Sequence, residues 1–563
     1  MSAFLDALNA LAAPPQGRHW LFVPDDQLTD ACGPLSRGNP RETGIVLLES
    51  RWKARLRPYH RQRLALQWAN QRHFALEQAE RGVAVRYIWA DVPYRQVLGD
   101  VALELGPLTM MEAAERELRA DLAPLVSSGA IRVVRHEGWL TSTAQFQAAC
   151  PSPPYKMDSF YRYVRQQTGW LMQEGQPLGG RLSFDVDNRL PWKGNPPAPL
   201  PPRFPGDAIK AEVLALVERD FPDHPGQLDP SALPATRADA EALWQFARQE
   251  CLPHFGPYED AMSVHSAGLF HTRISALLNM HRLLPVRVVQ DVAEDEHLPL
   301  QSREGFVRQI LGWREFVRHV HARSDGFREL ADVQAEPGDA GWGRWRARRW
   351  AAVALPEGLD GGAAPTPPGQ THPLPAAFWG TPSGLACLDR VVQEVWESAY
   401  GHHITRLMVL ANLATLLDLA PREVADWFWV AYADAWDWVV EPNVLGMGLF
   451  ALGPHMTTKP YVAGAPYLAR MSDYCGSCAF DPKRDCPLTR LYWAYLDRHQ
   501  ARLTASARLG PVLGTVRRRT PDEVQRDQAV FEALRAALDA GEAFRPAARH
   551  GQLPLLAPDH AGR

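Results

Sequence analysis

At 563 residues the chain exceeds the length that one hydrophobic core usually serves, so two or three domains are expected. Hydrophobic content of 46% and charged content of 22% are those of an ordinary soluble protein, and the longest apolar run, 407–420, is broken by Asn412 and Asp418 and is too short to span a bilayer. The net charge of −4 hides local asymmetry and does not exclude an anionic partner.

The first residues, Met1 to Asp6, have neither the basic start nor the apolar core of a secretory signal, and a cytoplasmic protein is expected. Residues 1–135 alternate between two periodicities. The runs 19–23, 44–48, 83–88 and 130–134 read as buried strands, and 61–82 and 112–125 as helices between them. Such alternation predicts an α/β unit, a parallel Rossmann-like sheet with helices on both faces. No G-x-G-x-x-G follows the first strand, so a standard dinucleotide site is not indicated. Ligands of such sheets bind beyond the carboxyl ends of the strands, which puts Asp25, Asp26, Gln27 and Glu49 in reach of a small molecule.

Residues 136–225 read as a connector, aromatic and basic at 155–165 and proline-rich at 196–205, where an extended boundary is expected. From 226 to 510 the pattern is helical. The exception is 351–375, rich in Gly, Pro and Ala, which reads as a surface loop or insertion. The section 511–563 holds one amphipathic helix near 521–540 and a frayed end.

Three stretches set polar groups on apolar helices. Phe270 to Ser275 opens a helix with Thr272, Arg273 and Ser275, where free N–H groups favour a phosphate, though both hydroxyls also suit capping. The block 305–316 carries Arg308, Gln309, Trp313, Arg314 and Glu315, too many polar groups for a plain core helix, and should line a cavity. At 400–412, His403 and Arg406 share a helix face beside His402. Burying these cations needs partners. A core histidine with a structural ion pair is one reading, and a cofactor or substrate site is the other.

Of seven cysteines, Cys32, Cys150 and Cys251 follow no pattern, and a cytoplasmic chain is not a disulfide framework. Cys475-x₂-Cys478-x₇-Cys486, with Cys387 upstream, makes a four-thiolate set that both zinc and a [4Fe–4S] cluster accept. Spacing alone favours zinc. Nineteen Trp imply a very aromatic core or aromatic residues with a task. The run Arg344 to Trp350 interleaves cations with aromatics, as a phosphate backbone beside unstacked bases would require, and Lys483 and Arg484 extend this basic character.

Together the blocks 270–275, 305–316 and 402–410, with 26–28, 155–162 and 459–462, resemble the cryptochrome/photolyase family, and within it the bacterial iron–sulfur branch known for (6-4) photolyases. The resemblance runs from about His19 to Leu496, and so many ordered blocks make it specific. It implies an α/β antenna domain at 1–135 and a large all-α FAD-binding domain at 226–510. Thr272 and Ser275 would then face the FAD phosphates, Gln309 and Trp313 would line the pocket, and Arg406 and Asp434 would contact the cofactor. His403 falls on the proton donor to the lesion. Leu407 stands where animal enzymes have a second histidine, so the relay must be built differently, with Tyr461 as the candidate. The asparagine beside flavin N5 has no clean match around 438–443.

The resemblance also turns the cysteines from zinc toward [4Fe–4S], in a structural role. It makes Trp427 a flavin-proximal electron carrier, Trp379 a further one and Trp436 a neighbour of both, with core packing as the plain alternative for each. It suggests 6,7-dimethyl-8-ribityllumazine as antenna, near Glu49, Asp26 and Gln27. The function implied is light-driven repair by a monomer: excited reduced FAD gives an electron to a (6-4) lesion flipped out of UV-damaged DNA, and His403 gives a proton. A cryptochrome-type photoreceptor is the first alternative. An iron–sulfur nucleic-acid-binding protein akin to the primase large subunit is the second.

Overall fold

The computed structural model describes residues 2–335, 359–367, 369–504 and 506–546. Its N-terminal part is built on a five-stranded sheet of β1 (His19–Phe22), β2 (Thr43–Ser50), β3 (Ala84–Ala90), β4 (Leu108–Met111) and β5 (Ile131–Val134). The spatial order is β3-β2-β1-β4-β5, and every neighbouring pair is parallel. β2 is buried along its whole length, as a central strand covered on both faces must be. Alternation divides its side chains. Val46 and Leu48 join Trp20 and Phe22 in one apolar layer, while Ile45 and Leu47 join Leu21 and Val23 in the other. Gly44 is required here, because a Cβ would come within 2.5 Å of the Trp20 ring.

Four of the strands fall where the sequence pattern puts them. β4 was not expected, since Leu-Thr-Met-Met is only four residues long. The helices Arg61–Glu80 and Arg116–Ser127 match expectation, and Tyr94–Leu105 is additional.

The helix Arg61–Glu80 joins the two halves of the molecule. Leu64, Ala65 and Trp68 belong to the large helical core, whereas Phe74, Ala75 and Ala79 pack under the sheet. Its buried polar residues are tied down: Arg72 pairs with Glu49, and Asn70 donates to the Leu66 and Pro234 carbonyls. The stretch 143–171 lends Phe146, Phe160, Tyr161 and Val164 to the helical core.

The remainder is mainly helical; among the described residues Met172–Gln173 and Gln176–Pro177 form a small antiparallel ribbon in the connector, and Val333–Ala335 and Ala363–Pro365 form another within the part expected to be all-α. The strand Ala363–Pro365 is buried and lies inside the segment read as a surface loop; Arg422 donates to the Ala363 carbonyl and so draws that backbone inward. The basic run Arg344 to Trp350 lies outside the described residues. The C-terminal helix Pro521–Asp539 opens with a capping box between Thr520 and Glu523. Among the described residues no helix is long and apolar enough to cross a membrane.

Candidate functional site

Two of the three singled-out stretches are wound as π-helix, Arg308–Arg314 and Thr405–Ala411, and a further π segment spans Pro442–Gly448. An ordinary α-helix was expected at the first two. Such wide turns are rare and recur at functional sites. They meet in space: Trp313 Nε1 donates to Asn443 Oδ1 at 2.7 Å, and Thr405–Ala411 packs on Pro442–Gly448. Asn443, left open by the sequence, thus stands against Trp313.

Arg406 grips Asp434 with both Nη atoms, at 3.0 and 2.9 Å, donates from Nε to the Gly401 carbonyl, and lies 3.9 Å over the Tyr432 ring. Burial alone would raise the Asp434 pKa, but the Arg406 guanidinium outweighs it, and the Ser275 hydroxyl adds a hydrogen bond; the carboxyl is held below its ordinary value. Both members of the pair are therefore charged. Neither Thr272 nor Ser275 caps the short helix Ser275–Asn279, whose N-cap Ile274 offers no side-chain bond. Arg273, at φ 58°, lies 4.3 Å over Tyr400. The Tyr432 hydroxyl is buried without a hydrogen-bond partner among the described residues, and Arg314 Nη1 has only the Glu315 carboxylate, at 3.6 Å. The free hydroxyl suits a ligand rich in acceptor oxygens.

Three imidazoles converge beside this pair. His271 stacks on His402 with centroids 4.3 Å apart and planes 10° from parallel, and meets His403 edge-to-face at 5.2 Å. Their ligand atoms lie within 4.8 Å of one another. A shared metal ion is nevertheless disfavoured: it must lie in the plane of each ring, and two nearly parallel stacked rings have no common in-plane point. Burial pushes the pKa of all three downward. For His403 the carboxylates of Glu259 and Asp185 push back, while Arg308 and Arg406 add to the depression. His403 also keeps accessible surface, so a side chain deep enough to be desolvated still borders open space. That combination defines a cavity wall.

Glu259 is held by Gln309 Nε2 at 2.7 Å and by Asn188 Nδ2 at 2.8 Å. Arg308 pairs with Asp185 at 3.2 Å, and this pair acts on both His403 and the half-exposed Tyr461. Gln309, His403 and Tyr461 thus gather around one cluster of charges.

Trp427 and Trp379 are joined by a residue that the sequence did not single out. Trp396 meets Trp427 edge-to-face at 5.8 Å and stacks on Trp379 at 5.2 Å. Trp427 is fully buried, and the other two are partly exposed. Among the described residues Trp436 stands apart from these three indoles, with the Arg63 guanidinium 5.4 Å from its ring. A tryptophan in a helix announces burial but not its aromatic neighbours, so only the packing could separate Trp396 from Trp436.

Cys387, Cys475, Cys478 and Cys486 line a single cavity with Leu385, Leu468, Tyr474, Phe480 and Leu488. Burial first, then the neighbouring thiols, raises the pKa of Cys387; Cys486 is pushed up to about 12. Four thiols in an apolar pocket need a bound cation to become thiolates.

A protein from Agrobacterium fabrum described as a (6-4) photolyase is 33% identical over 520 residues, 89% of this chain and 96% of its own length. The chain belongs to the photolyase/cryptochrome family. Residues 21–233 match the family model of the deoxyribodipyrimidine photo-lyase-related proteins. Two solved structures share the photolyase/cryptochrome fold at low identity. A bacterial class III photolyase from Agrobacterium tumefaciens aligns with a TM-score of 0.52 at 13% identity, covering 93% of this chain and 98% of that one. A cryptochrome from Synechocystis sp. PCC6803 aligns with a TM-score of 0.50 at 15% identity, covering 77% and 83%. Membership implies FAD, and the unpartnered Tyr432 hydroxyl beside the Arg406–Asp434 pair and the uncapped start of the helix Ser275–Asn279 fit such a group.

In this photolyase-family fold a second cavity lies at the carboxyl end of β2, lined by Asp25, Leu48, Ser50, Lys53, Tyr59, Arg63 and Tyr94 among others. Glu49, Asp26 and Gln27, expected to face an antenna, do not line it. Strand alternation explains Glu49: Leu48 and Ser50 point one way, and Glu49 points the other, into Arg72 and the Tyr87 hydroxyl. Gln27 is spent on the Met111 and Glu112 carbonyls. Arg63, buried with Nε unpartnered among the described residues, faces the cavity instead. Lys53 binds Glu115 at 2.6 Å and lies 3.8 Å from Asp25.

Proposed function

We propose that this protein repairs (6-4) lesions in UV-damaged DNA by light, with His403 as proton donor. The carrying observation is His403 itself: desolvated, yet bordering open space, on the helix that also presents Arg406 to Asp434. Coverage of a (6-4) photolyase over nearly its whole length supports the same reading. A primase-like iron–sulfur protein would account for neither that coverage nor the parallel sheet.

FAD, when bound and excited in its reduced state, supplies the electron. The chain's own residues do the rest. The Arg406–Asp434 pair, with Thr272 and Ser275 on the uncapped helix start, holds the cofactor's polar groups. Gln309 and Trp313 border the cofactor and the flipped base. Glu259 and Asp185 offset the desolvation that would keep His403 neutral, and an incoming phosphate backbone adds negative charge. Tyr461, across the Asp185–Arg308 pair, completes the donor side. Trp427, Trp396 and Trp379 form the route by which oxidised cofactor is recharged.

The cysteine cavity is read as a [4Fe–4S] site. All four thiols border one apolar cavity, and that shared space between them supports a cluster. The β2 cavity is read as the antenna site, with 6,7-dimethyl-8-ribityllumazine as occupant. Residues 1–135 then form the antenna domain, 136–225 the connector, 226–510 the cofactor domain and 511–563 a C-terminal helix and tail. The test is illumination of reduced holoprotein with an oligonucleotide carrying one (6-4) lesion, read by chromatography. Protein that holds FAD yet restores neither (6-4) nor cyclobutane lesions would belong with the photoreceptors.

A further inference from the structure

His271 stands in the imidazole cluster with no role assigned to it so far. Its ring interacts with the Glu259 backbone, which favours a proton on it, and its Nε2 is buried with no hydrogen-bond partner among the described residues. Nδ1 is the nitrogen left to carry that proton. A neutral imidazole that donates from Nδ1 carries its lone pair on Nε2. A buried acceptor left without a donor is costly, so its position calls for one. Two rings are near enough to supply it. A hydrogen bond to Nε2 lies in the plane of the His271 ring, and the parallel ring of His402, stacked 4.3 Å away on its face, cannot reach that plane. His403, crossed at 73° with its nitrogen within 4.8 Å, reaches it by a small rotation or through one water.

We propose that His271 is the positioning partner of His403: its Nε2 accepts the N–H of one His403 nitrogen and so turns the other nitrogen toward the flipped base. This rests on the repair reading above. In the proton-donating step one N–H bond of the His403 imidazolium breaks and the proton forms a bond to the lesion. His403 is left neutral, still donating to His271, and the electron comes from the excited reduced cofactor. Glu259 serves twice, with its backbone fixing the His271 tautomer and its carboxylate facing His403.

The charges around the pair are mixed. Asp185 and Glu259 favour a protonated His403, and Arg308 and Arg406 oppose it. His402, His403 and Arg273 oppose a proton on His271. The proton of the pair therefore resides on His403, where it is needed.

The test compares His271→Leu, which removes the acceptor, with His271→Gln, which restores one, in FAD-loaded full-length protein. His271→Leu is expected to bind FAD and lesion DNA as the parent does, to repair about tenfold more slowly, and to move the alkaline limb of its pH–rate profile about one unit downward. His271→Gln should recover most of both. A Leu variant with parental rate and profile, or Leu and Gln variants equally slow with an unshifted profile, would overturn the pairing. Titration of the His403 ring by NMR in the dark, without DNA and assigned with His403→Asn, separates this claim from the repair claim. A lower His403 pKa in His271→Leu upholds the pairing even if the parent repairs nothing. An unchanged His403 pKa removes it even if the parent repairs well.

Discussion

Trp396 and Trp427 donate their indole N–H groups to the same acceptor, the Phe378 carbonyl, each at 2.9 Å. One carbonyl thereby fixes the crossing of two rings that come from different helices, and Trp379 stacks on the outer side of Trp396 with planes 15° apart. The result is a contact path from the fully buried Trp427 to the partly exposed Trp379.

Replacing the middle ring should break that path. Trp396→Phe is expected to slow photoreduction of oxidised FAD as severely as Trp427→Phe, with FAD content unchanged, and Trp379→Phe should have a smaller effect. Transient absorption after a blue pulse measures this. Parental photoreduction in Trp396→Phe would make the three indoles packing residues.

His403→Ala should retain FAD and damaged-DNA binding but lose about 10² to 10⁴ in repair rate, the usual worth of a positioned acid. His403→Ala leaves the Arg406–Asp434 contact in place. Because the protonated ring is the active form, repair by the parent should fall as pH rises. Glu259→Gln removes the anion that most supports the charged form and should move that fall to lower pH. A profile that shifts upward in Glu259→Gln would reverse the assignment.

Arg406→Met should prevent FAD binding and also destabilise the apoprotein by about 3–5 kcal/mol, because it strands the Asp434 carboxylate in the interior. Adding Asp434→Leu should restore much of the stability but none of the FAD binding. The sign of the pH effect follows from the depressed Asp434 pKa. Its stabilising contribution is present above the unfolded aspartate value of about 3.9 and fades as pH falls through the folded value. Denaturant melts of the three apoproteins, with flavin absorbance after reconstitution, decide the matter.

Changing any of Cys387, Cys475, Cys478 or Cys486 to Ser should give colourless or insoluble protein, since a metal site of this kind is coupled to folding. Iron and acid-labile sulfide, assayed after anaerobic purification of the parent, should approach four of each per chain. One zinc and no sulfide would favour the narrower tetrahedral site.

Much of this site was legible in local runs of sequence. The blocks at 270–275, 305–316 and 402–412 announce themselves because polar groups on apolar helices demand partners, and the structure supplies Glu259, Asp185 and Asp434 as those partners. Glu259 carries no such signal: it lies in an irregular segment, and its importance comes from Gln309, Asn188 and His271 arriving from elsewhere. Trp396 was missed, and Asn443 left open, for the same reason. The π winding was missed too, since apolar periodicity does not separate an α turn from a wider one over seven residues.

By itself the sequence determined the parallel sheet, the helical bulk, the CxxC-bearing thiol set and the family, because hydrophobic period, turn residues and ordered motifs are properties of short stretches. Only the tertiary structure decided which faces those stretches present. It turned Glu49 away from the β2 cavity and brought Arg63 to it, put Trp396 between two tryptophans and set Trp436 apart, and laid His271 across His403. Those relations join residues distant along the chain. They exist only once burial has fixed strand register and helix rotation, and no local pattern encodes them.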